Sequence, residues 1–402
     1  MTRVVLGVSG GIAAYKAAEL LRRLTESGHD VTVVPTDSAL QFVGAPTWAA
    51  LSGKPVCTSV WDEVHQVPHV RIGQTADLVV VAPATADLLA KAAAGLADDL
   101  LTNTLLTARC PVVFAPAMHT EMWEHAATQA NVATLRERGC VVIEPAVGRL
   151  TGADSGKGRL PDPDEIFAIC TRLLARGLTA DLAGRRVVIS AGGTREHLDP
   201  VRFLGNRSSG KQGYALARTA AARGAEVVLV AANSALPDPA GVKVVRVTSA
   251  LELRDAVIAE ALSADVVVMS AAVADYRPAE RLTTKRKKTE TLNVDLVQNP
   301  DVLAELGAAR RDGQVLVGFA AETGDADGSV LDHGRAKLAR KGCDLLVVNE
   351  VGETGHPTGF EGDSNAAVVL GSDGSSTEIP LASKDQLADV VWDLVAARLP
   401  AS

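Results

Sequence analysis

The chain has 402 residues, 47% of them apolar and 22% charged, a globular balance that excludes long disordered stretches. At about 150 residues per domain, that length suggests two or three domains, each able to bury a core. A net charge of −8 and only 3% aromatic residues exclude a basic nucleic-acid face or a base-stacking platform, while a few Lys or Arg and backbone amides can still bind a small anion.

Cys57, Cys110, Cys140, Cys170 and Cys343 are scattered and contain no CxxC, so neither a disulfide framework nor a zinc knuckle fits. Met1 leads straight into a strand and no apolar run approaches the ~20 residues of a membrane span. A cytoplasmic protein with no signal peptide, no membrane and no nucleic-acid partner is expected.

Short, nearly all-apolar runs predict strands at Val4–Val8, Val31–Pro35, Leu78–Ala82, Val112–Ala115 and Val141–Glu144. Runs of that kind are covered on both faces, as in a parallel sheet. Amphipathic stretches such as Ala13–Thr25 lie between them, which predicts a doubly wound α/β domain. A Gly-rich polar stretch, Gly148–Gly158, and one helix to about Leu174 follow, and Arg176–Gly184 reads as a linker. The pattern then restarts at Arg186–Ser190, Glu226–Ala231, Val244–Val247, Asp265–Met269, Val315–Phe319, Leu345–Val348 and Ala366–Leu370. The fold class is therefore α/β, two Rossmann-like three-layer domains over residues 1–178 and 182–402. Tyr276–Pro300, which holds Lys285-Arg286-Lys287-Lys288, and Gly352–Asn365 break the alternation and read as functional insertions.

Gly7-Val8-Ser9-Gly10-Gly11-Ile12-Ala13 sits where the first strand turns into the first helix, where glycines admit a ligand and free amides receive an anion. Ser9 occupies the second glycine place of G-x-G-x-x-G, and no acid ends the second strand. A monophosphate such as FMN fits better than NAD, and a plain tight turn is the alternative. Ala82-Pro83-Ala84-Thr85-Ala86-Asp87 and Pro116-Ala117-Met118-His119-Thr120-Glu121-Met122-Trp123 follow the third and fourth strands, at the carboxyl ends where open α/β sheets bind ligands. Each is equally readable as a helix start.

Together with His69, these motifs resemble the flavin-dependent cysteine decarboxylases, and within them the phosphopantothenoylcysteine decarboxylases, over residues 1–175. The resemblance implies a flavodoxin-like flavoprotein domain with FMN held by Ser9, Gly10, Gly11, Thr36, Ser38, Ala84 and Thr85, and His69 as catalytic base. It also implies thiol oxidation by FMN, loss of carbon dioxide and return of the electrons. Two positions depart from the family. His119 replaces the Asn that helps hold the substrate carboxylate. Thr151 stands where several members have a proton-donating Cys, and a hydroxyl is a far weaker acid than a thiol.

In the second half, Ile189-Ser190-Ala191-Gly192-Gly193-Thr194-Arg195-Glu196 again places glycines after a first strand, and no acid ends the second, which disfavours a dehydrogenase. Asn206-Arg207-Ser208-Ser209-Gly210-Lys211 forms an anion cradle or a Ser-capped helix start. Asp275 is a candidate magnesium-side carboxylate, the Lys285–Lys288 run a polyphosphate cover or a solvated face, and Phe319 a base contact or a core residue.

Thr-Arg-Glu-x-Leu-Asp-Pro-Val-Arg, Asn-x-Ser-Ser-Gly-Lys, Ala-Ala-Val-Ala-Asp-Tyr, Lys-x-Lys-Lys and Gly-Phe-Ala-Ala-Glu-Thr resemble the phosphopantothenate–cysteine ligases over about residues 182–395. The order of the two halves is similar to the fused bifunctional enzymes of coenzyme A biosynthesis. The resemblance implies CTP and Mg²⁺, with 4′-phosphopantothenate, L-cysteine and 4′-phosphopantothenoylcysteine as the small molecules handled. Asn206 matches the residue that handles the acyl-cytidylate, and Lys285 the one needed to form it. Gly193, Arg202, Arg207, Ser208, Ser209, Gly210 and Lys211 fall at the substrate and nucleotide site, as do Ala271, Ala272, Asp275, Lys287, Asn299, Phe319, Lys337 and Lys341. A homo-oligomer, a dodecamer, is expected on the same ground. The competing expectations are a silent flavin-binding regulatory first half, or a tandem nucleotide-binding oxidoreductase.

Overall fold

A computed structural model describes residues 1–58, 67–150, 154–177, 180–285, 293–322, 329–350 and 362–400. The chain forms two compact units, Met1–Thr179 and Ala180–Ser402.

The first unit is built on β1 (Arg3–Val8), β2 (Asp30–Pro35), β3 (Leu78–Ala84), β4 (Val112–Pro116) and β5 (Val141–Val142), all parallel, in the order β2-β1-β3-β4-β5. Every residue of β3 is buried, which is why its sequence is an unbroken apolar run. Helix Ala14–Glu26 turns Ala14, Ala17, Leu20, Leu21 and Leu24 inward at helical spacing. Each fully buried leucine there contributes about 1.5–3 kcal/mol. The strand order reverses between β1 and β3, and that switch point is where a doubly wound sheet opens a crevice.

β5 is shorter than the predicted Val141–Glu144; Ile143 N–H still donates to Phe114 O at 2.9 Å, and the Glu144 side chain pairs with Arg136 and Lys157. The Gly-rich stretch after it contains an unpredicted hairpin, β6 (Ala146–Arg149) against β7 (Ser155–Arg159). Its glycines serve close backbone packing, so it carries no apolar alternation to read.

The second unit holds β8 (Arg186–Gly192), β9 (Arg195–His197), β10 (Phe203–Gly205), β11 (Glu226–Ala232), β12 (Val242–Val247), β13 (Val266–Met269), β14 (Tyr276–Pro278), β15 (Leu296–Gln298), β16 (Val315–Glu322), β17 (Leu345–Glu350), β18 (Ser364–Gly371) and β19 (Ser376–Ser383). Its main sheet runs β12-β11-β8-β13-β16-β17-β18-β19. The first six of these are parallel and follow the Rossmann order 3-2-1-4-5-6, with the reversal between β8 and β13. Antiparallel β18 and β19 extend one edge, and β19 was not predicted.

Alternation along β8 sends Val187 and Ile189 to one core and Val188 to the other. Trp392 closes the first of these, its indole N–H donating to Leu216 O at 3.0 Å. The predicted linker Arg176–Gly184 is shorter in the structure. Arg176 ends helix Pro163–Arg176, and Leu182 is fully buried in the second core. Of the irregular insertions, Tyr276–Pro300 carries the small antiparallel pair β14–β15, and residues 351–361 of the other lie outside the described residues.

Lys384 opens the last helix, Lys384–Ala396, with only 5% of its surface exposed. Burial and then the neighbouring Lys211 push its ammonium down from 10.5 to about 8, against the pull of Asp363. Between those values the folded chain binds fewer protons than the unfolded one, so this group adds stability as pH rises through the window. Urea midpoints at pH 7.5 and 10 should therefore show a rise that K384M lacks, read as the difference between the two proteins at each pH.

Candidate active sites

At the first switch point Ser9 is buried. Its hydroxyl donates to Pro83 O at 2.7 Å and accepts from the Thr85 N–H at 2.9 Å, tying the end of β1 to the end of β3. Ser9 therefore acts on the loop's shape. Gly10 has no room for a side chain, since a Cβ there would lie 2.3 Å from Ser38 Cβ. Gly10 and Gly11 lead directly into helix Ala14–Glu26. Thr36 and Thr85 cap helices Asp37–Leu40 and Ala86–Ala94, accepting from Ala39 N and Leu88 N. Ser9 with Thr85, Gly10 with Ser38, Gly11 with Thr85 and Thr36 with Val8 thus come together at the carboxyl ends of β1, β2 and β3.

His69 stands on helix Pro68–Thr75, which is locked against helix Leu100–Thr107. A Cβ on Gly73 would lie 2.2 Å from Thr107 Oγ1, and that hydroxyl donates to His69 O at 2.8 Å. His69 Nδ1 is buried with no hydrogen-bond partner among the described residues. His119 is exposed and precedes helix Thr120–Glu124, its ring making no cap bond. The β6–β7 hairpin is seated on this segment, Met118 N–H donating to Gly158 O at 2.9 Å. His119 and the hairpin come together, whereas His69 is carried by a separate helix. Thr151 lies outside the described residues.

In the second unit the switch point is stitched by four hydrogen bonds. Ser190 Oγ accepts from Ala271 N at 3.1 Å and Thr194 Oγ1 from Ala274 N at 2.9 Å. Ala272 N donates to Gly192 O at 2.8 Å and Thr194 N to Ala272 O at 3.2 Å. Gly192 adopts φ 86°, and a Cβ there would sit 2.0 Å from Ala232 O, so only glycine fits.

A cleft of about 270 Å³ opens here, lined by Gly193, Thr194, Arg195, Phe203, Gly205, Asn206, Arg207, Ser208 and Asn233. The Arg195 guanidinium lies 4.7 Å over the Phe203 ring. Neither Arg195 nor Arg207 has a carboxylate partner among the described residues, so the cleft carries uncompensated positive charge suited to an anion. Thr194, Arg195, Phe203, Gly205 and Asn233 of this lining were not among the expected site residues. No sequence spacing announces an Arg–Phe stack between two short strands. Asn233, whose φ is 50° and whose amide donates to Gly193 O and Thr248 O, was legible only as an Asn at a strand end.

Helix Lys211–Ala222 starts at Gly210 (φ 82°), where Ser208 Oγ and Ser209 Oγ accept from Gly210 N and Lys211 N. Lys211 pairs with Asp363 at 2.6 Å. Of the predicted residues that the structure describes, those other than Gly193, Asn206, Arg207 and Ser208 are not among the cleft lining. Arg202 forks onto buried Asp199 at 2.9 and 2.6 Å, and Lys341 pairs with Asp301. Buried Asn299 brackets the arm, donating to Ala274 O at 2.8 Å and accepting from Arg277 at 3.0 Å. Phe319 packs partly against the core, Lys337 lies on helix Val330–Lys341, and Asp275 and Lys285 are exposed. Lys287 lies outside the described residues. Among those, no group of three or more His, Cys, Asp or Glu could hold a metal, and no helix is long and apolar enough to cross a membrane.

Residues 1–175 match the Flavoprotein family, and residues 182–399 the DNA/pantothenate metabolism flavoprotein C-terminal domain. The chain is 62% identical to the coenzyme A biosynthesis bifunctional protein CoaBC of Mycolicibacterium smegmatis, over 99% of this chain and 98% of that protein. It is 44% identical to the protein of the same name from Vibrio cholerae, over 98% and 97%. A crystal structure of the C-terminal domain of a coenzyme A biosynthesis bifunctional protein CoaBC is similar at 36% identity, covering 55% of this chain and 97% of that one, with a TM-score of 0.46. The chain belongs to the family of coenzyme A biosynthesis bifunctional proteins.

Proposed function

We propose that residues 182–402 join 4′-phosphopantothenate to L-cysteine at the expense of CTP, and that residues 1–178 decarboxylate the 4′-phosphopantothenoylcysteine so formed to 4′-phosphopantetheine with FMN. The observation that carries this reading is the presence in one chain of two anion-ready switch points, neither backed by the acidic residue a dinucleotide ribose needs.

In the ligase half, the carboxylate of 4′-phosphopantothenate attacks the α-phosphorus of CTP and pyrophosphate leaves; the cysteine amine then attacks the acyl carbon and CMP leaves. Arg195 and Arg207 offset the negative charge gathered in the cleft, Lys285 serves the first step and Asn206 the second. Mg²⁺ fits as an ion carried largely by the triphosphate, with Asp275 as a single protein carboxylate.

In the decarboxylase half, the Gly10 and Gly11 amides and Ser38 hold the FMN phosphate. Bound FMN supplies the electron sink that a cysteine carboxylate lacks. His69 takes the proton released in the oxidation, and His119 offers a ring N–H to the substrate carboxylate. The reading includes a cytoplasmic homo-oligomer, a dodecamer, supported by the resemblance alone.

The test is to incubate the full chain with 4′-phosphopantothenate, L-cysteine, CTP and Mg²⁺ and follow products by mass spectrometry. The expected end product is 4′-phosphopantetheine with stoichiometric CMP and pyrophosphate. Arrest at 4′-phosphopantothenoylcysteine would overturn the decarboxylase half, and no product at all would overturn both halves.

A further inference from the structure

Strand β7 packs on the segment after β4 through both its glycines and Lys157. Gly156 and Gly158 face the segment after β4: a Cβ on Gly156 would lie 2.3 Å from Thr120 Oγ1, and one on Gly158 2.2 Å from Met118 O. Lys157 lies between them, where the register of the hairpin shifts and leaves Gly158 unpaired with β6. The Lys157 ammonium pairs with Glu144 Oε2 at 2.6 Å and stands 5.8 Å from the centre of the Trp123 ring. Glu144 is held in turn by Arg136 at 2.6 Å, and the same Arg136 nitrogen donates to Val142 O at 2.9 Å, at the end of β5. Trp123 is buried and belongs to the helix that His119 precedes. Burial pushes the Glu144 carboxyl up, but Lys157 and Arg136 outweigh it and leave it below its ordinary value, so the centre of this latch stays charged.

A half-exposed ion pair contributes little to global stability. This one joins three pieces through side chains: the end of β5, the hairpin, and the helix that follows the Met118–Thr120 segment, adding to the backbone contact of Met118 with Gly158. We propose that Lys157 is a positioning residue for the decarboxylase half, fixing the hairpin on the segment that presents His119 to the substrate carboxylate. This assignment rests on the functional reading above.

The test compares K157M, K157R and E144Q in the full chain, measuring decarboxylation of 4′-phosphopantothenoylcysteine, bound flavin and cysteine ligation. K157M and E144Q should lower decarboxylation kcat/KM by about tenfold or more, mainly through a higher KM, because misplacement by a fraction of an ångström weakens the substrate's contacts. Flavin content and ligation should be unchanged, and K157R, which keeps the charge, should stay within about threefold of the wild type. K157M at wild-type kcat/KM would overturn the assignment, and so would loss of flavin in step with activity or failure of K157R to rescue. A wild-type chain that does not decarboxylate would instead sink the functional reading.

Discussion

A His69→Asn chain should lose decarboxylation by about 10²–10⁴-fold, the contribution of a positioned general base, while ligating cysteine at the wild-type rate. Two features set this expectation. Helix Pro68–Thr75 is fixed by the close approach of Gly73 to Thr107 and by the Thr107 hydroxyl on His69 O, so the backbone under the ring does not depend on the imidazole. Nδ1 is buried without a protein partner, so the substitution breaks no hydrogen bond of the described residues at that atom. Asn is smaller and cannot accept a proton at neutral pH, which separates loss of the base from loss of the fold. Absorbance at the flavin bands should show the cofactor still bound, since Gly10, Gly11 and Ser38, the residues proposed to hold its phosphate, lie on other segments. Unchanged decarboxylation, or loss of flavin with activity, would remove His69 from the base role.

The sheets were legible because their strands are buried on both faces: β3 reads as seven consecutive buried residues, and β8 and β11 are nearly as continuous. The hairpin was not, because Ser155–Arg159 is chosen for glycines that admit Met118 and Thr120, a requirement of partners distant in sequence. β19, Ser376–Ser383, is an edge strand with one face open, and its mixed polarity hides it. At the sites the same division holds. Gly10, Gly193 and Gly210 announce backbone approach in the sequence itself. The tying role of Ser9, the grip of Asp199 on Arg202 and the Arg195–Phe203 stack depend on side chains from separate strands or turns meeting in space. Residue type gave the chemistry at these positions; only packing showed whether a group faces a ligand or another part of the chain.

Asn206→Ala and Lys285→Gln should divide the ligase reaction between them. Asn206 lies exposed in the cationic cleft, and its amide donates one N–H to Val273 O at 3.0 Å. In the ligase reading proposed above, the rest of the amide serves the bound acyl group. The segment is held there because Asn206 O would lie 2.7 Å from a Cβ on Gly193, so it packs directly on glycine backbone. Removing that donor should slow transfer of the acyl group to cysteine by about 10²–10³-fold, the usual cost of deleting one hydrogen bond to a developing oxyanion. Pyrophosphate should still appear in a burst of one equivalent per site, leaving acyl-cytidylate on the enzyme. Lys285→Gln keeps polarity but removes the charge proposed to serve the first step, so the pyrophosphate burst itself should vanish. Rapid-quench assays with labelled CTP, scoring pyrophosphate and CMP separately, distinguish the two. Parallel loss of both products in Asn206→Ala, or an intact burst in Lys285→Gln, would mean that these residues do not act on successive steps.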